Sequence, residues 1–280
     1  MVIDAHQHFW QLGLPFDYGW LYSERHRRIC RDYMPSDLRP ILGRCGVEKS
    51  VFVQTQHNLA ETRWGLALAA EHDFIAGVVG WVDLRSGECE EQLDEFLASP
   101  WFVGVRHIVQ DEPDEDFVIR PEFLGGLGLL ERRGVPYDLL FYHQHLRHAA
   151  TLAGMFPGLR LVIDHLSKPR IREGVLEPWR KQLREAAAYP NVYCKLSGMI
   201  TEADWASWRA ADLRPYVEEA LEAFGVERCM FGSDWPVCEL AGEYGEVFSS
   251  LVSALGGLTP TENARIFGGT AAEFYRLKLN

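Results

Sequence analysis

The sequence predicts a single-domain parallel (β/α)8 barrel, and three observations support this fold class. Short apolar runs rich in Val, Ile, Leu, Phe and Tyr recur eight times along the 280 residues, and helix-like segments separate them. The runs are nearly continuous in their apolar character, as expected for strands that are buried on both faces of a parallel sheet. Several runs end in polar residues, and barrels of this type carry their chemistry at the carboxyl ends of the strands. We therefore expect one domain over residues 1–280.

The eight predicted strands follow one another without a linker or a low-complexity segment. They are VIDAHQHF (2–9), KSVFVQTQ (49–56), IAGVVGWVDL (75–84), FVGVRHIVQ (102–110), PYDLLFYHQ (136–144), RLVIDHLSKP (160–169), NVYCKLSG (191–198) and RCMFGSDWP (228–236). Helical periodicity is clear in residues 60–73, 177–190 and 214–225, and Gly225 is suited to end the last of these helices. An open doubly wound sheet is the rival fold, but it normally has fewer strands and a glycine-rich turn where this chain has His-Gln-His.

Composition excludes several classes of partner. The chain carries 28 basic and 40 acidic residues, a formal charge of −12, whereas nucleic acids and anionic membranes require a basic surface. It contains no apolar stretch of membrane-spanning length, and its first residues, MVIDAH, lack the features of a signal peptide, so we expect a cytoplasmic protein. The six cysteines are scattered without a CxxC pair, which indicates reduced and mostly buried thiols.

Three further stretches have a predicted structural role. Two long connections, residues 10–35 and 198–216, are rich in aromatic residues; in the second these include Trp205 and Trp208. Loops at this face of a barrel usually cover a site, although each ring could equally pack over a helix. Residues 259–262, with the sequence TPTE, are typical of a capping box at the start of a helix.

The first candidate site is formed by two histidines and an aspartate. His6 and His8 are two residues apart, so they face the same side of an extended strand. Asp234 ends the eighth strand, which is the neighbour of the first strand in a closed ring. An ionised aspartate beside two imidazoles can bind a divalent metal or take a proton from water. For His6 and His8 taken without Asp234, the alternative is that they are packed polar side chains with no role in chemistry.

Cationic and imidazole groups at other strand ends are further candidates. His165 could donate to a carbonyl oxygen, and we expect Asp164 to point away from the barrel lumen. Arg106 ends an apolar strand, where a guanidinium requires an anionic partner, and His107 should face the opposite side. Lys168 and Lys195 could hold a carboxylate or hydroxyl groups of a substrate.

Other polar residues are candidates for metal or substrate binding. His145 is a candidate third imidazole of a metal site, or it begins a helix, and His143 is not expected to take part. Gln54 and Gln56 alternate along the second strand and suit hydrogen bonding to a polyhydroxylated ligand. The histidines without such a position are assigned to loops or the surface: His26, His57, His72 and His148.

Five motifs occur in an order that resembles the amidohydrolase superfamily: DAHQHFW, GVRH, DHLSKP, KLSG and FGSDWPV. Within it, the chain is similar over its whole length to the sugar-lactonase branch that includes L-fuconolactonase and L-rhamnonolactonase. The resemblance implies a distorted barrel that hydrolyses an ester or lactone. It also assigns the histidine pair to His6 and His8, the sixth-strand histidine to His165 and the water-activating base to Asp234. Trp235, within the last motif, is a predicted substrate-binding residue.

One departure from the superfamily narrows the cofactor prediction. Members with two metal ions use a carboxylated lysine or a glutamate at the end of the fourth strand, and this chain has GVRHIV there. The resemblance therefore implies one divalent ion such as zinc, held by His6, His8 and Asp234 with His145 as a further candidate, or no metal. Some lactonases of this branch work without a metal.

The predicted function is hydrolysis of a small sugar-acid lactone. A decarboxylase, hydratase or pyrone-type lactonase acting on an unsaturated dicarboxylic acid is one alternative, although it would need more cationic groups. A barrel that binds a ligand without catalysis is the other. A homo-oligomer is left open.

Overall fold

The computed structural model describes residues 1–279 and confirms the predicted barrel. Eight strands, all parallel, pair in the order in which they occur in the chain. The strands are β1 (Ile3–Gln7), β2 (Lys49–Val53), β3 (Ile75–Gly80), β4 (Phe102–His107), β5 (Tyr137–Leu139), β6 (Leu161–Ile163), β7 (Val192–Leu196) and β8 (Cys229–Phe231). This uninterrupted order is that of a barrel and not of a doubly wound sheet, in which the strand order reverses.

Helices connect the strands on the outside of the ring. They are α1 (Pro35–Cys45), α2 (Leu59–Glu71), α3 (Cys89–Leu97), α4 (Pro121–Arg133), α5 (Arg147–Met155), α6 (Trp179–Ala187), α7 (Met199–Glu202), α8 (Ala210–Phe224), α9 (Tyr244–Leu255), α10 (Pro260–Ala264) and α11 (Thr270–Tyr275). The three helices predicted from periodicity are α2, α6 and α8, and Gly225 ends α8 as expected. The capping box is also confirmed, because Thr259 Oγ1 accepts from the amide of Glu262 at the start of α10.

The ring closes between β8 and β1 through two backbone hydrogen bonds just beyond β8. The Asp234 amide donates to the His6 carbonyl oxygen at 2.8 Å, and the His8 amide donates to the Trp235 carbonyl oxygen at 2.7 Å. These bonds bring Asp234 beside His6 and His8, although 226 residues separate Asp234 from His8. Ring closure therefore assembles the predicted site.

The hydrophobic core has two parts. The larger part lies between the strands and the surrounding helices. The smaller part gathers valines of several strands, and Phe274 and Tyr275 of α11 pack against them. Because α11 contributes large side chains to this cluster, the core is filled beneath the polar strand ends.

All eight strands are shorter than the predicted runs, and the difference is largest in three of them. β5, β6 and β8 have three residues each. The polar ends of two of these runs leave the sheet as short turns, at His143–His145 after β5 and at Asp164–Ser167 after β6. The sequence predicted the strands but extended them into the loops that carry the site.

Two compositional predictions can be compared with the structure. All six cysteines are free, and four of them are buried. Among the helices of residues 1–279, none combines the length and the apolar character that crossing a membrane requires.

Candidate active site

His6, His8 and Asp234 meet at the carboxyl end of the barrel. His8 Nε2 lies 3.2 Å from His6 Nε2 and 3.2 Å from Asp234 Oδ1, and His6 Nε2 lies 3.9 Å from the same oxygen. All three side chains are almost fully buried. The predicted grouping of two imidazoles with a carboxylate is therefore present in the structure.

The hydrogen-bond partners of His8 determine which of its nitrogens is protonated. His8 Nδ1 lies 2.7 Å from the Val53 carbonyl oxygen, which can only accept a hydrogen bond. In neutral His8, Nδ1 therefore carries the proton, and a lone pair on Nε2 faces His6 and Asp234. Convergent imidazole and carboxylate lone pairs are a donor set that suits zinc and similar divalent metal ions.

The spacing of these donor atoms fits a single metal ion. Ligand atoms of a tetrahedral zinc ion lie about 3.3 Å from one another, given bond lengths of about 2.0–2.1 Å. The distances of 3.2–3.9 Å among His6, His8 and Asp234 are close to that value, and these residues form one of the candidate metal groups in residues 1–279. Arg106 Nη1 also lies 3.2 Å from His6 Nε2, so an ion there would take the lone pair that the guanidinium now contacts.

His165 reaches the site through an unusual turn. Residues 165–168 all have left-handed backbone angles, with φ between 50° and 59°. His165 Nε2 lies 3.8 Å from Asp234 Oδ1, and its Nδ1 is 2.8 Å from Ser197 Oγ. Gly198 leaves room for this ring, because a Cβ at that position would lie 2.6 Å from His165 Nδ1. The turn and the glycine together hold the imidazole against Asp234.

The expected orientation of Asp164 is wrong. Its carboxylate is fully buried within the barrel, where it contacts His6, Arg106 and Lys195. Asp164 follows Val162 by two residues and therefore shares its inward face. His165 also reaches the site because the left-handed turn begins at that residue, so the alternation of a strand no longer applies.

Arg106 and Lys195 lie in a buried network of charges below the three histidines. Arg106 Nη1 donates to Asp164 Oδ2 at 3.1 Å, and Nη2 donates to the Gln54 carbonyl oxygen. Lys195 Nζ donates to Asp138 Oδ2 at 2.6 Å, and it forms an ion pair with Asp164 Oδ1 at 2.9 Å. The two cations thus have the anionic partners that their burial requires.

Burial and neighbouring charges set the protonation states of the site. Burial alone would raise the pKa of Asp234, but His165, His8 and His6 lower it below its usual value. Likewise, burial opposes ionisation of Asp164, yet Lys195, His6 and Arg106 hold its pKa well below the ordinary value. Burial lowers the pKa of His165 to about 4. Asp234 is therefore ionised, and His165 is neutral near pH 7.

A cavity of about 280 Å³ opens above these groups. His8, Arg106, His165 and Asp234 form part of its lining. The two aromatic-rich connections form much of the rest, as expected, through Trp10, Trp20, Arg25, His26, Thr201, Glu202 and Trp205. The cavity thus combines aromatic surfaces with charged groups, as sites for small polar ligands do.

Of the predicted substrate-binding residues, one lines the cavity and the others are buried outside its lining. Lys168 lines the cavity, with Nζ 5.1 Å from the centre of the Tyr142 ring. Lys195, Gln54 and Trp235 are fully buried, and Trp235 Nε1 donates to Glu239. Gln56 is also buried and accepts from the Asp17 amide.

The candidate fifth-strand ligand is separate from this group. His145 is buried, and its Nδ1 accepts from the Tyr142 amide. It belongs to none of the candidate metal groups in the described part of the chain. The cluster at the centre of the barrel contains His6, His8 and His165 instead.

A second group of imidazoles lies behind the loop that follows β4. His107 faces away from the central cluster, as expected. Its Nδ1 accepts from Trp81 Nε1, so its Nε2 donates to Glu112 Oε1 at 2.7 Å. His57, which the sequence assigned to a loop or the surface, stacks on His107 with ring centroids 3.8 Å apart. These contacts anchor the loop that carries Gln110 and Asp111 of the cavity lining.

Sequence reasoning missed Asp138, Tyr275 and Ser197. Asp138 lies within an apolar strand and contacts Lys195, while Tyr275 donates to the same carboxylate at 2.7 Å. A carboxylate inside the apolar run PYDLLF was a usable signal, because such a group requires a buried partner. Nothing near Tyr275 in the sequence indicates its contact with a residue 137 positions earlier.

The comparisons with known proteins agree on one family. A family model described as "Amidohydrolase" matches residues 3–277. An L-fucono-1,5-lactonase of Burkholderia multivorans is 41% identical over 288 residues, which cover 98% of this chain and 96% of the relative. An L-fucono-1,5-lactonase of Burkholderia ambifaria is 39% identical over 282 residues, which cover 98% of this chain and 95% of the relative.

A solved structure of similar sequence extends this comparison to the fold. It is an amidohydrolase from Burkholderia multivorans with bound Zn, with a TM-score of 0.92 and 40% sequence identity. The match covers 99% of this chain and all of that one. Barrel and sequence therefore correspond over nearly the whole chain.

Proposed function

Because the chain belongs to the amidohydrolase family, we propose that it hydrolyses the ring ester of a small sugar-acid lactone to the open hydroxy acid. The observation that carries the proposal is the buried, ionised Asp234 beside three imidazoles at the base of the cavity. The relatives that are 39% and 41% identical are L-fucono-1,5-lactonases, so an aldonolactone of this kind is the first substrate to test.

Asp234 acts as the base in this proposal. Water near His6, His8 and Asp234 loses a proton to Asp234, while its oxygen forms a bond to the ring carbonyl carbon. The carbonyl electron pair moves to the carbonyl oxygen, which becomes an oxyanion. When the tetrahedral centre collapses, the bond to the ring oxygen breaks, and protonated Asp234 returns its proton to that oxygen. A carboxylate poised in this way contributes about 10²–10⁴-fold to the rate.

Arg106 and His165 are the groups proposed to stabilise the oxyanion. Both line the cavity, and Arg106 carries a fixed positive charge at the edge of the buried network. Fixed hydrogen-bond donors that point at a developing oxyanion stabilise the transition state most where water is excluded. Because the pKa of His165 is about 4, its ring is neutral near pH 7 and would act as a hydrogen-bond donor and not as a charge.

One divalent ion, zinc in the first instance, would be held by His6, His8 and Asp234. When bound, such an ion polarises the carbonyl and lowers the pKa of a bound water, so that the water can lose a proton at neutral pH. The lone pair of His8 Nε2 and the spacing of the three donors support this part of the proposal. His145 lies outside this donor set, and its part in metal binding stays a prediction.

The cavity wall is proposed to orient the sugar. Lys168 can donate to hydroxyl groups, and Trp20 and Trp205 offer aromatic faces to the apolar side of a sugar ring. Roles for Gln54, Gln56, Lys195 and Trp235 in substrate binding stay predictions, as do a homo-oligomer and a cytoplasmic location. The proposed partner is a small molecule, not a nucleic acid or a membrane.

The dicarboxylic-acid alternative has less support. Arg106 is already paired with Asp164, and Lys195 is paired with Asp138 and Asp164. Arg25 and Lys168 are the other cations of the cavity lining, and the relatives that are 39% and 41% identical are lactonases of a sugar acid. A barrel without catalysis would not need an ionised aspartate among three histidines.

The test is a panel of substrates in a weakly buffered pH-indicator assay, which reports acid release. The panel contains 1,4- and 1,5-aldonolactones, including L-fucono-1,5-lactone, and unsaturated dicarboxylic acids with their pyrone lactones. Acid release with the aldonolactones supports the proposal. Activity only on the unsaturated acids, or none on the whole panel by folded and zinc-supplemented protein, contradicts it.

A further inference from the structure

The buried carboxylate of Asp164 contacts two groups of the proposed active site at once. Its Oδ1 lies 3.3 Å from His6 Nδ1, and its Oδ2 accepts from Arg106 Nη1 at 3.1 Å. Asp164 is fully buried and does not line the cavity. It is therefore in a position to act on the reaction only through other residues.

The neighbours of His6 indicate which of its nitrogens carries the proton. The Asp164 carboxylate is paired with Arg106 and Lys195, so its oxygens act as acceptors, and Oδ1 faces Nδ1. Arg106 can only donate, and its Nη1 lies 3.2 Å from Nε2. Both contacts are favourable only if Nδ1 carries the proton and Nε2 carries the lone pair. The other tautomer would place a lone pair against the carboxylate and an N–H against the guanidinium.

Lys195 is compatible with this assignment. Its Nζ lies 3.2 Å from His6 Nδ1, but its shorter contacts are a hydrogen bond to Asp138 at 2.6 Å and an ion pair with Asp164 at 2.9 Å. Lys195 therefore does not need His6 as an acceptor. Its charge keeps the buried carboxylate of Asp164 ionised.

We propose that Asp164 is a positioning residue that sets the tautomer of His6 and the orientation of Arg106. One carboxylate oxygen holds the Nδ1 proton of His6, so that the Nε2 lone pair faces Asp234. The other oxygen holds Arg106 at the edge of the cavity. The kinetic part of this inference rests on the proposed function, whereas the tautomer of His6 does not.

Asp138 provides a matched control. It is also fully buried, and it also accepts from Lys195. It has no hydrogen bond or ion pair with His6 or Arg106. Asp138→Asn and Asp164→Asn therefore each remove one buried negative charge next to the same lysine, but only Asp164→Asn changes what His6 and Arg106 contact. An amide has one acceptor and one donor end, so it cannot accept from both of these residues.

The first experiment measures the tautomer directly. Protein with ¹⁵N-labelled histidine is examined by long-range ¹H–¹⁵N correlation, and the His6 signals are assigned with a His6→Ala variant. We expect His6 to carry its proton on Nδ1, as His8 does. A proton on Nε2 of His6 would overturn the inference, whether or not the protein hydrolyses lactones.

The second experiment compares the two variants kinetically on a lactone that the wild type hydrolyses. Loss of a hydrogen-bond partner behind a functional histidine commonly costs about 10–100-fold. We expect such a fall in kcat for Asp164→Asn with little change in KM, and a much smaller fall for Asp138→Asn. Equal losses in both variants, in parallel with their unfolding midpoints, would show a structural role and overturn the inference.

If no lactone is hydrolysed by the wild type, the proposed function fails, and the tautomer measurement still decides the role of Asp164 toward His6.

Discussion

Gly232 packs against β1 at the point where His6 enters the site, and an alanine there is expected to displace His6. The new methyl carbon would lie 2.7 Å from His6 Cβ, 3.1 Å from Ser197 Cβ and 3.3 Å from the His6 backbone nitrogen. Carbon atoms in favourable contact are about 3.5–4.0 Å apart, so β1 must move by about 1 Å. A misplacement of about 1 Å can cost about 10²-fold in rate. The overpacking itself should cost about 1–3 kcal/mol of stability.

The assay compares Gly232→Ala with Gly125→Ala. Gly125 lies in α4 with no atom within 4 Å of the position that a Cβ would occupy, so alanine is tolerated there and favours the helix. Both variants are tested for acid release from the aldonolactone panel and for their urea midpoints. We expect only Gly232→Ala to lose activity, by about 10²-fold. Wild-type kcat/KM in a folded Gly232→Ala protein would refute the steric reasoning.

The remaining predictions concern stability and metal binding. Burial raises the pKa of Glu61 from 4.5 to about 7, so the folded state binds this proton more tightly than the unfolded state. Stability should therefore fall by about 3 kcal/mol as the pH rises from 4.5 to 7, and urea unfolding at several pH values should give a flatter profile for Glu61→Gln. A Glu61→Gln protein whose stability changes with pH as steeply as that of the wild type would contradict this prediction. Tyr275→Phe removes the hydroxyl that donates to Asp138, and it should lower the free energy of unfolding by about 1.5–3 kcal/mol, measured in urea. An unchanged midpoint would show that this bond contributes nothing. His8→Ala removes one of three donors and should weaken zinc binding in a chelator competition, and equal affinity would place the ion elsewhere.

The barrel was predictable because its determinants are local and repeated. Buried strands read as apolar runs, and the helices between them show a 3.6-residue period, so the order of elements could be read directly from the sequence. The meeting of Asp234 with His6 and His8 followed from ring closure. The exact ends of β5, β6 and β8 did not follow, because their polar continuations form turns and not strand.

The interior of the site was less predictable for a physical reason. The left-handed run from His165 to Lys168 contains no glycine, so residue preferences did not predict it. The predicted orientation of Asp164 was wrong as a result, because it assumed strand alternation through His165. The buried network of Lys195, Asp138 and Tyr275 depends on contacts between distant elements. A single sequence shows that such charges must be paired, but it does not show with which partner.

Asp234, at the junction of β8 and β1, is proposed to be the base of a lactone hydrolase. Its most direct test is kcat/KM of the wild type and of Asp234→Asn on the same aldonolactone, with both proteins shown to be folded by circular dichroism. We expect acid release by the wild type and a loss of about 10²–10⁴-fold in the variant. An Asp234→Asn protein that hydrolyses the lactone at nearly the wild-type rate would contradict it.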